Sequence, residues 1–218
     1  KLGSLSIVTF KLKNEANNLL LTYLDLQAAN LNPATNSSVV PAVGAVPGVV
    51  AILSTTGISG NDNNTISFCD IHSVGNTGNI LNVGIFAVNA TTLGSPSNNN
   101  NNSILNNNIY DCFNASTATA GIDLCAGNNS YTISNNSFYK SAATTFTYST
   151  AAITKRAFWI TPGNSAVASS GYTISGNYIG GTAPLCGGTA FTMLGVVTSV
   201  FHGMDISVGT LAVSNVTN

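Results

Sequence analysis

The sequence predicts an all-β solenoid, a parallel β-helix of about six coils joined by irregular loops. The first observation behind this is a phrase that recurs four times: Asn64-Thr65-Ile66-Ser67-Phe68-Cys69-Asp70-Ile71, Asn102-Ser103-Ile104-Leu105-Asn106-Asn107-Asn108-Ile109, Tyr131-Thr132-Ile133-Ser134-Asn135-Asn136-Ser137-Phe138 and Tyr172-Thr173-Ile174-Ser175-Gly176-Asn177-Tyr178-Ile179. Each copy sets two apolar residues five apart around a polar corner, and three copies carry asparagine at the same place, Asn107, Asn136 and Asn177. The second observation is a small residue followed by a short, mostly apolar strand: Gly48-Val49-Val50-Ala51-Ile52, Gly84-Ile85-Phe86-Ala87-Val88, Gly121-Ile122-Asp123-Leu124-Cys125, Ala157-Phe158-Trp159-Ile160-Thr161 and Gly203-Met204-Asp205-Ile206-Ser207. The third is composition. Hydrophobic residues make up 44% and charged residues only 6%, yet Ile, Val, Leu and Phe fall in patterned strands, which separates the chain from a disordered one.

Taken in order, the coils open with a looser copy, Leu21-Thr22-Tyr23-Leu24-Asp25-Leu26. The apolar stretch from Val39 to Leu53 is broken by Pro41, Gly44, Pro47 and Gly48, so it falls short of the ~20 residues a membrane-spanning helix needs. The four full copies are spaced by 38, 29 and 41 residues, and that variation belongs to loops. The run Asn98 to Asn102, preceded by Leu93-Gly94-Ser95-Pro96-Ser97, reads as one such loop, solvated and passive. A last copy is expected at Leu211-Ala212-Val213-Ser214-Asn215-Val216. With Lys1 at the start, no signal peptide and a further coil begun at Ser214 to Asn218, residues 1–218 read as a single β-helix segment of a longer secreted protein.

The corner has a chemical rationale. Asparagine is among the residues that tolerate the left-handed backbone region best after glycine, and stacked asparagines hydrogen-bond from coil to coil. One residue is therefore expected to supply both the bend and the ladder. On these T-I-S-x-N-x-I type coils the chain resembles the right-handed parallel β-helix proteins, the pectate-lyase-like group, over residues 20 to 218.

Strand alternation points the third residue of the second phrase outward, which puts Val50, Phe86, Asp123, Trp159 and Asp205 in one solvent-facing column. Coils stack about 4.8 Å apart, so Asp123 and Asp205 are expected roughly 10 Å from each other with Trp159 between them. Lys155 and Arg156 enter the same strand just before. Two carboxylates flanking an aromatic platform, with Arg156 beside it, are candidate ligand-binding residues for a glycan. Their separation lies just above the roughly 6.5–9.5 Å used by inverting glycosidases.

What the resemblance implies for catalysis does not carry over. Polygalacturonases of that group carry N-T-D, D-D, G-H-G and R-I-K motifs; here D-D and R-I-K are missing and His202-Gly203 is half of a G-H-G. No catalytic residue and no cofactor is assigned. Calcium stays open through Asp62, Asp70 or Asp111, without a dense acidic loop. Cys69, Cys112, Cys125 and Cys186 show no C-x-x-C spacing, which argues against zinc. They either pair as disulfides, in any of three connectivities, or pack as small hydrophobes. Six basic residues and a net charge of −1 cannot supply a phosphate-binding stripe, so nucleic acid is not an expected partner.

Two function classes remain. One is a structural or adhesive module of a large secreted or cell-surface protein, contacting glycans or other surface components; its composition is similar to that of adhesins exported by gliding bacteria through type IX secretion. The other is a polysaccharide lyase or glycoside hydrolase of the β-helix class. An ice-binding solenoid ranks third, because it needs a regular flat array of Thr or Ser, and the outward column of the second phrase runs Val, Phe, Asp, Trp, Asp.

Overall fold

The structure, a computed structural model, describes residues 2–4, 7–35, 37, 39–55, 58–74, 81–89, 95–114, 116–141, 147–148, 153–161, 169–190, 194–195 and 200–217. It is a parallel β-helix. Three six-stranded sheets run the length of the stack, so six coils are counted on each. The first sheet holds Leu2–Ser4, Asp25–Ala28, Asp70–Ser73, Asn108–Tyr110, Ser137–Tyr139 and Tyr178–Ile179. The second holds Leu20–Thr22, Thr65–Ser67, Ser103–Leu105, Thr132–Ser134, Thr173–Ser175 and Asn215–Thr217. The third holds Phe10–Lys13, Val50–Ser54, Val83–Asn89, Thr119–Leu124, Thr154–Ile160 and Val200–Ile206.

The isoleucines stack as the repeat predicts. Leu21, Ile66, Ile104, Ile133, Ile174 and Val216 stand in one register column, and Leu26, Ile71, Ile109, Phe138 and Ile179 in the next. The third sheet adds Leu12, Ile52, Ala87, Leu124, Ile160 and Ile206. Except for Val216, which is exposed at the end of the stack, these columns meet in one continuous core. Burying each large aliphatic side chain contributes about 1.5–3 kcal/mol, which is why the apolar spacing sets the coil. The final copy is out of register: Val216 aligns with Ile174, so it takes the first apolar position of the phrase instead of the second.

Bend and ladder come from two neighbouring residues, not from one as expected. The left-handed positions at the corner between the second and first sheets are Tyr23, Phe68, Asn106, Asn135 and Gly176, with φ of 55°, 52°, 56°, 57° and 60°. The ladder asparagine follows the last three of them. Asn136 Oδ1 accepts from the backbone N–H and the Nδ2 of Asn107, both at 3.0 Å, and Asn177 Oδ1 does the same for Asn136. Each Nδ2 also donates to the preceding coil: Asn107 to Ile66 O, Asn136 to Ile104 O and Asn177 to Ile133 O. Cys69 fills this place one coil earlier. Its N–H donates to Asn107 Oδ1 and its thiol points at Leu21 O, the carbonyl in register with Ile66 O.

The asparagine run is not a passive loop. Asn99–Asn100 is a strand paired in parallel with Asn128–Asn129, and Asn98, Asn99 and Asn102 are buried. Asn99 Oδ1 accepts from the N–H and Nδ2 of Asn61, and its Nδ2 donates to Asn128 Oδ1. Asn102 Oδ1 accepts from Asn64 N–H, and Asn64 Oδ1 from Leu19 N–H. Between these rungs, Asn101 is one of a second left-handed column with Asn18, Asn63, Ser130 and Gly171. A buried amide stays cheap only when its bonds are made, and here the run makes them. Leu93 and Gly94 lie outside the described residues.

All four cysteines are free thiols, Cys69, Cys112 and Cys125 buried and Cys186 exposed. Among the described residues no helix is long and apolar enough to cross a membrane.

Candidate functional site

The candidate residues sit on the outer face of the third sheet, and the small residue of each phrase shapes it. The ladder pairs Ala120 with Arg156, skips Gly121 and Ala157, and resumes at Ile122 with Phe158. At this kink the side-chain direction of Gly121 is the interior: a Cβ there would lie 2.5 Å from Phe138 Cδ1 and 2.8 Å from Ala157 O. A Cβ on Gly84 would lie 2.7 Å from Ile109 Cγ2. Two consecutive residues thus turn inward, and the outward columns become Val83, Ala120, Arg156, His202 and Ala51, Phe86, Asp123, Trp159, Asp205. Val50 is not in that column. It pairs with Ile85 in the core, because Gly48, with φ 99°, serves the loop before the strand and shifts the first copy by one.

The face is not all solvent-facing. The described residues of the segment between Asn30 and Gly48 cross it as a strap, and Ala34 and Val46 bury themselves with Ala51, Phe86, Val88, Ala120 and Cys125 in a second apolar cluster, against which Val40 and Trp159 also pack. Asp123 lies beneath the strap with 0% exposure. Its Oδ2 accepts from Thr35 N–H at 2.8 Å, and Cys125 Sγ lies 3.4 Å from its Oδ1. The Cys125 thiol donates to Thr35 O at 2.8 Å and accepts from Ser37 N–H. Burial pushes the Asp123 carboxyl up to about 7, opposed by the Thr35 amide, Cys125 and the charge of Arg156. Burial likewise pushes the Cys125 thiol up, and the neighbouring carboxylate adds to it.

The other three candidates do come together. Arg156 Nε donates to Asp205 Oδ2 at 2.6 Å, and its guanidinium carbon lies 3.9 Å from the Trp159 ring centroid. His202 Nδ1 is 3.6 Å from the same Asp205 oxygen. Side-chain exposure rises outward along this group, from 12% at Arg156 through 31% at Asp205 to 45% at His202. One indole face is therefore covered by a guanidinium, and what reaches solvent is the rim of the cluster. Lys155 turns the other way, fully buried, donating to Asn114 O and to Thr117 O. Burial lowers its pKa to about 8, and its place in the fold is a strut beneath the chain that leads into Thr119–Leu124.

A second cluster escaped the sequence reading. On the outside of the first sheet His72, Tyr110 and Tyr139 stack ring on ring, with centroids 4.6 and 4.8 Å apart. His72 Nε2 contacts Asp25 Oδ1 at 2.9 Å and its Nδ1 meets Ser73 O. Burial, then Asp70, Asp25 and Asp111, push the Tyr110 hydroxyl up to about 12. The signal was present as an aromatic or histidine directly after the second apolar residue in three successive copies. Because the rings spend their faces on one another, only their edges meet solvent.

The three carboxylates considered for calcium are hydrogen-bond acceptors in separate places. Asp62 takes the N–H of Asn100, Asp70 the Nδ2 of Asn108, and Asp111 the N–H and hydroxyl of Ser141. Among the described residues no three His, Cys, Asp or Glu converge in a metal-holding group. In comparisons with known proteins, no family model matches the chain, and no curated protein or solved structure is significantly similar to it.

Proposed function

We propose that this chain is a structural and adhesive β-helix module of a large secreted or cell-surface protein, with glycans as its contact. The observation that carries the reading is the rim formed by Arg156, Trp159, Asp205 and His202. A guanidinium held between an indole and a carboxylate is an already ordered group, so contact with a sugar would lose little side-chain entropy. Asp205 and His202 present hydrogen-bonding atoms to hydroxyls while the indole edge offers apolar surface. The low charge and the Asn, Ser and Thr content fit a surface exposed outside the cell.

One observation favours the second reading, a polysaccharide lyase or glycoside hydrolase: a carboxyl whose pKa lies near 7 is matched to proton donation at neutral pH. Its oxygens are covered by the strap, and Asp205 is bound to Arg156. Asp123 and Asp205 would have to be uncovered before they flanked a substrate. Affinity retention on immobilised uronate and neutral polysaccharides tests the first reading. Arg156→Gln and His202→Ala should weaken retention while leaving the unfolding transition in place, and unchanged retention in both would remove the rim from the binding surface.

A further inference from the structure

The second sheet turns a different kind of surface outward. Its strands pair in register, Thr65, Ser103, Thr132 and Thr173 in one column and Ser67, Leu105, Ser134 and Ser175 in another. Thr22 extends the second column and the exposed Leu20 the first, Asn215 and Thr217 continue them at the other end, and Ser67 is the one buried member. Left-handed corners flank the array, with exposed Asn63 and Asn101 on one side and exposed Asn106 and Asn135 on the other. No charged residue stands at any of these positions. The regular array of Thr and Ser missing from the third sheet is therefore present on this one.

Three physical features set this face apart from ordinary polar decoration. Its hydroxyls repeat in two dimensions, about 4.8 Å from coil to coil and about 6.7 Å from one outward residue to the next along a strand. Among the described residues, the one hydrogen bond that this array makes within the protein is Ser67 Oγ to Thr22 Oγ1 at 3.3 Å. The remaining hydroxyls are left to bond outward. Long parallel sheets twist unless side-chain ladders hold them flat, and this sheet is bounded on both sides by ladders, Asn64 and Asn102 at one edge and Asn107, Asn136 and Asn177 at the other.

We infer that this face binds ice. An uncharged lattice of hydroxyls with repeats of this size, edged by ladders that oppose twist, orders water into rows comparable in spacing to the oxygens of an ice plane. Threonine methyls and Leu105 exclude disordered water between those rows. Charge would oppose this by orienting water around ions, and the face carries none. The inference does not rest on the glycan reading, which concerns the third sheet.

The test is to grow single ice crystals in the purified protein and to measure its partition into a slowly freezing hemisphere of ice. The wild type should facet the crystals and enter the ice. Thr132→Tyr and Thr173→Tyr place a bulky ring on the array, Thr173 already being exposed, and both should lose faceting and partition with an unchanged unfolding transition. Val39→Tyr, on the strap at a position 57% exposed, should keep both. Round crystals and exclusion of the wild type from ice would overturn the inference, and so would full activity in folded Thr132→Tyr and Thr173→Tyr.

Discussion

Replacing Asp123 with asparagine isolates the chemistry under the strap. The carboxyl has 0% exposure and a pKa raised from 3.8 to about 7. At about 1.4 kcal/mol per unit, its ionisation weighs about 4 kcal/mol against the folded state. The folded chain holds this proton more tightly than the unfolded chain, so the stability is fully present below the unfolded pKa and is lost as pH rises through the folded one. An asparagine in its place would be isosteric, would still accept from Thr35 N–H, and would have no charge to bury. In urea unfolding followed by circular dichroism, Asp123→Asn should therefore gain on the wild type by about 3 kcal/mol between about pH 4.5 and 7.5. A stability difference that stays flat across that range would refute the reasoning, because it would mean that the strap does not desolvate the carboxylate.

Further outcomes follow from the packing. Asn136→Ala removes four ladder hydrogen bonds at a residue with 0% exposure and should cost about 4 kcal/mol, whereas Asn135→Ala at the exposed left-handed corner should cost only about 1–2 kcal/mol; urea midpoints distinguish the two. Cys69→Asn should match or exceed wild-type stability, since a carboxamide there can donate to Leu21 O and to Asn107 Oδ1 as Asn107 does one coil on; a clear loss in melting temperature would argue against the ladder register. Gly121→Ala, whose Cβ would meet Phe138 at 2.5 Å, should lose about 1–3 kcal/mol. Gly203→Ala, nearest Ile179 Cδ1 at 3.6 Å, should be close to neutral in the same assay.

The fold was legible because a solenoid writes its core as a spacing. Ile66, Ile104, Ile133 and Ile174 need only share a register for the stack to follow, and the Asn107, Asn136 and Asn177 ladder came with them. The division of labour at the corner was harder to read, since Asn106-Asn107 and Asn135-Asn136 are identical neighbours; Tyr23 and Phe68, left-handed although Leu24 and Cys69 follow them, show that the bend forms without an asparagine at either place. The asparagine run looked like linker because low complexity resembles solvation, whereas buried carboxamides satisfy one another only across coils that are distant in sequence. Of the site, Trp159 and Asp205 were placed in one column from strand alternation, with Arg156 just before Trp159 on the same strand. Asp123 was placed on the right column and in the wrong environment, because no local pattern reveals that the strap around Ala34 and Thr35 folds back across a strand that follows it by 88 positions. The hydroxyl array was visible in every T-I-S, but only sheet assignment separates its face from the one that carries Trp159.

The most direct test of an adhesive solenoid against a catalytic one is to incubate the protein with polymeric uronates and neutral polysaccharides, measuring retention while following reducing ends and unsaturated products. The account predicts retention of a glycan with no accumulation of either product, and no change in that outcome for Asp123→Asn. New reducing ends or unsaturated products that vanish in Asp123→Asn would contradict it and make the buried carboxyl a working acid.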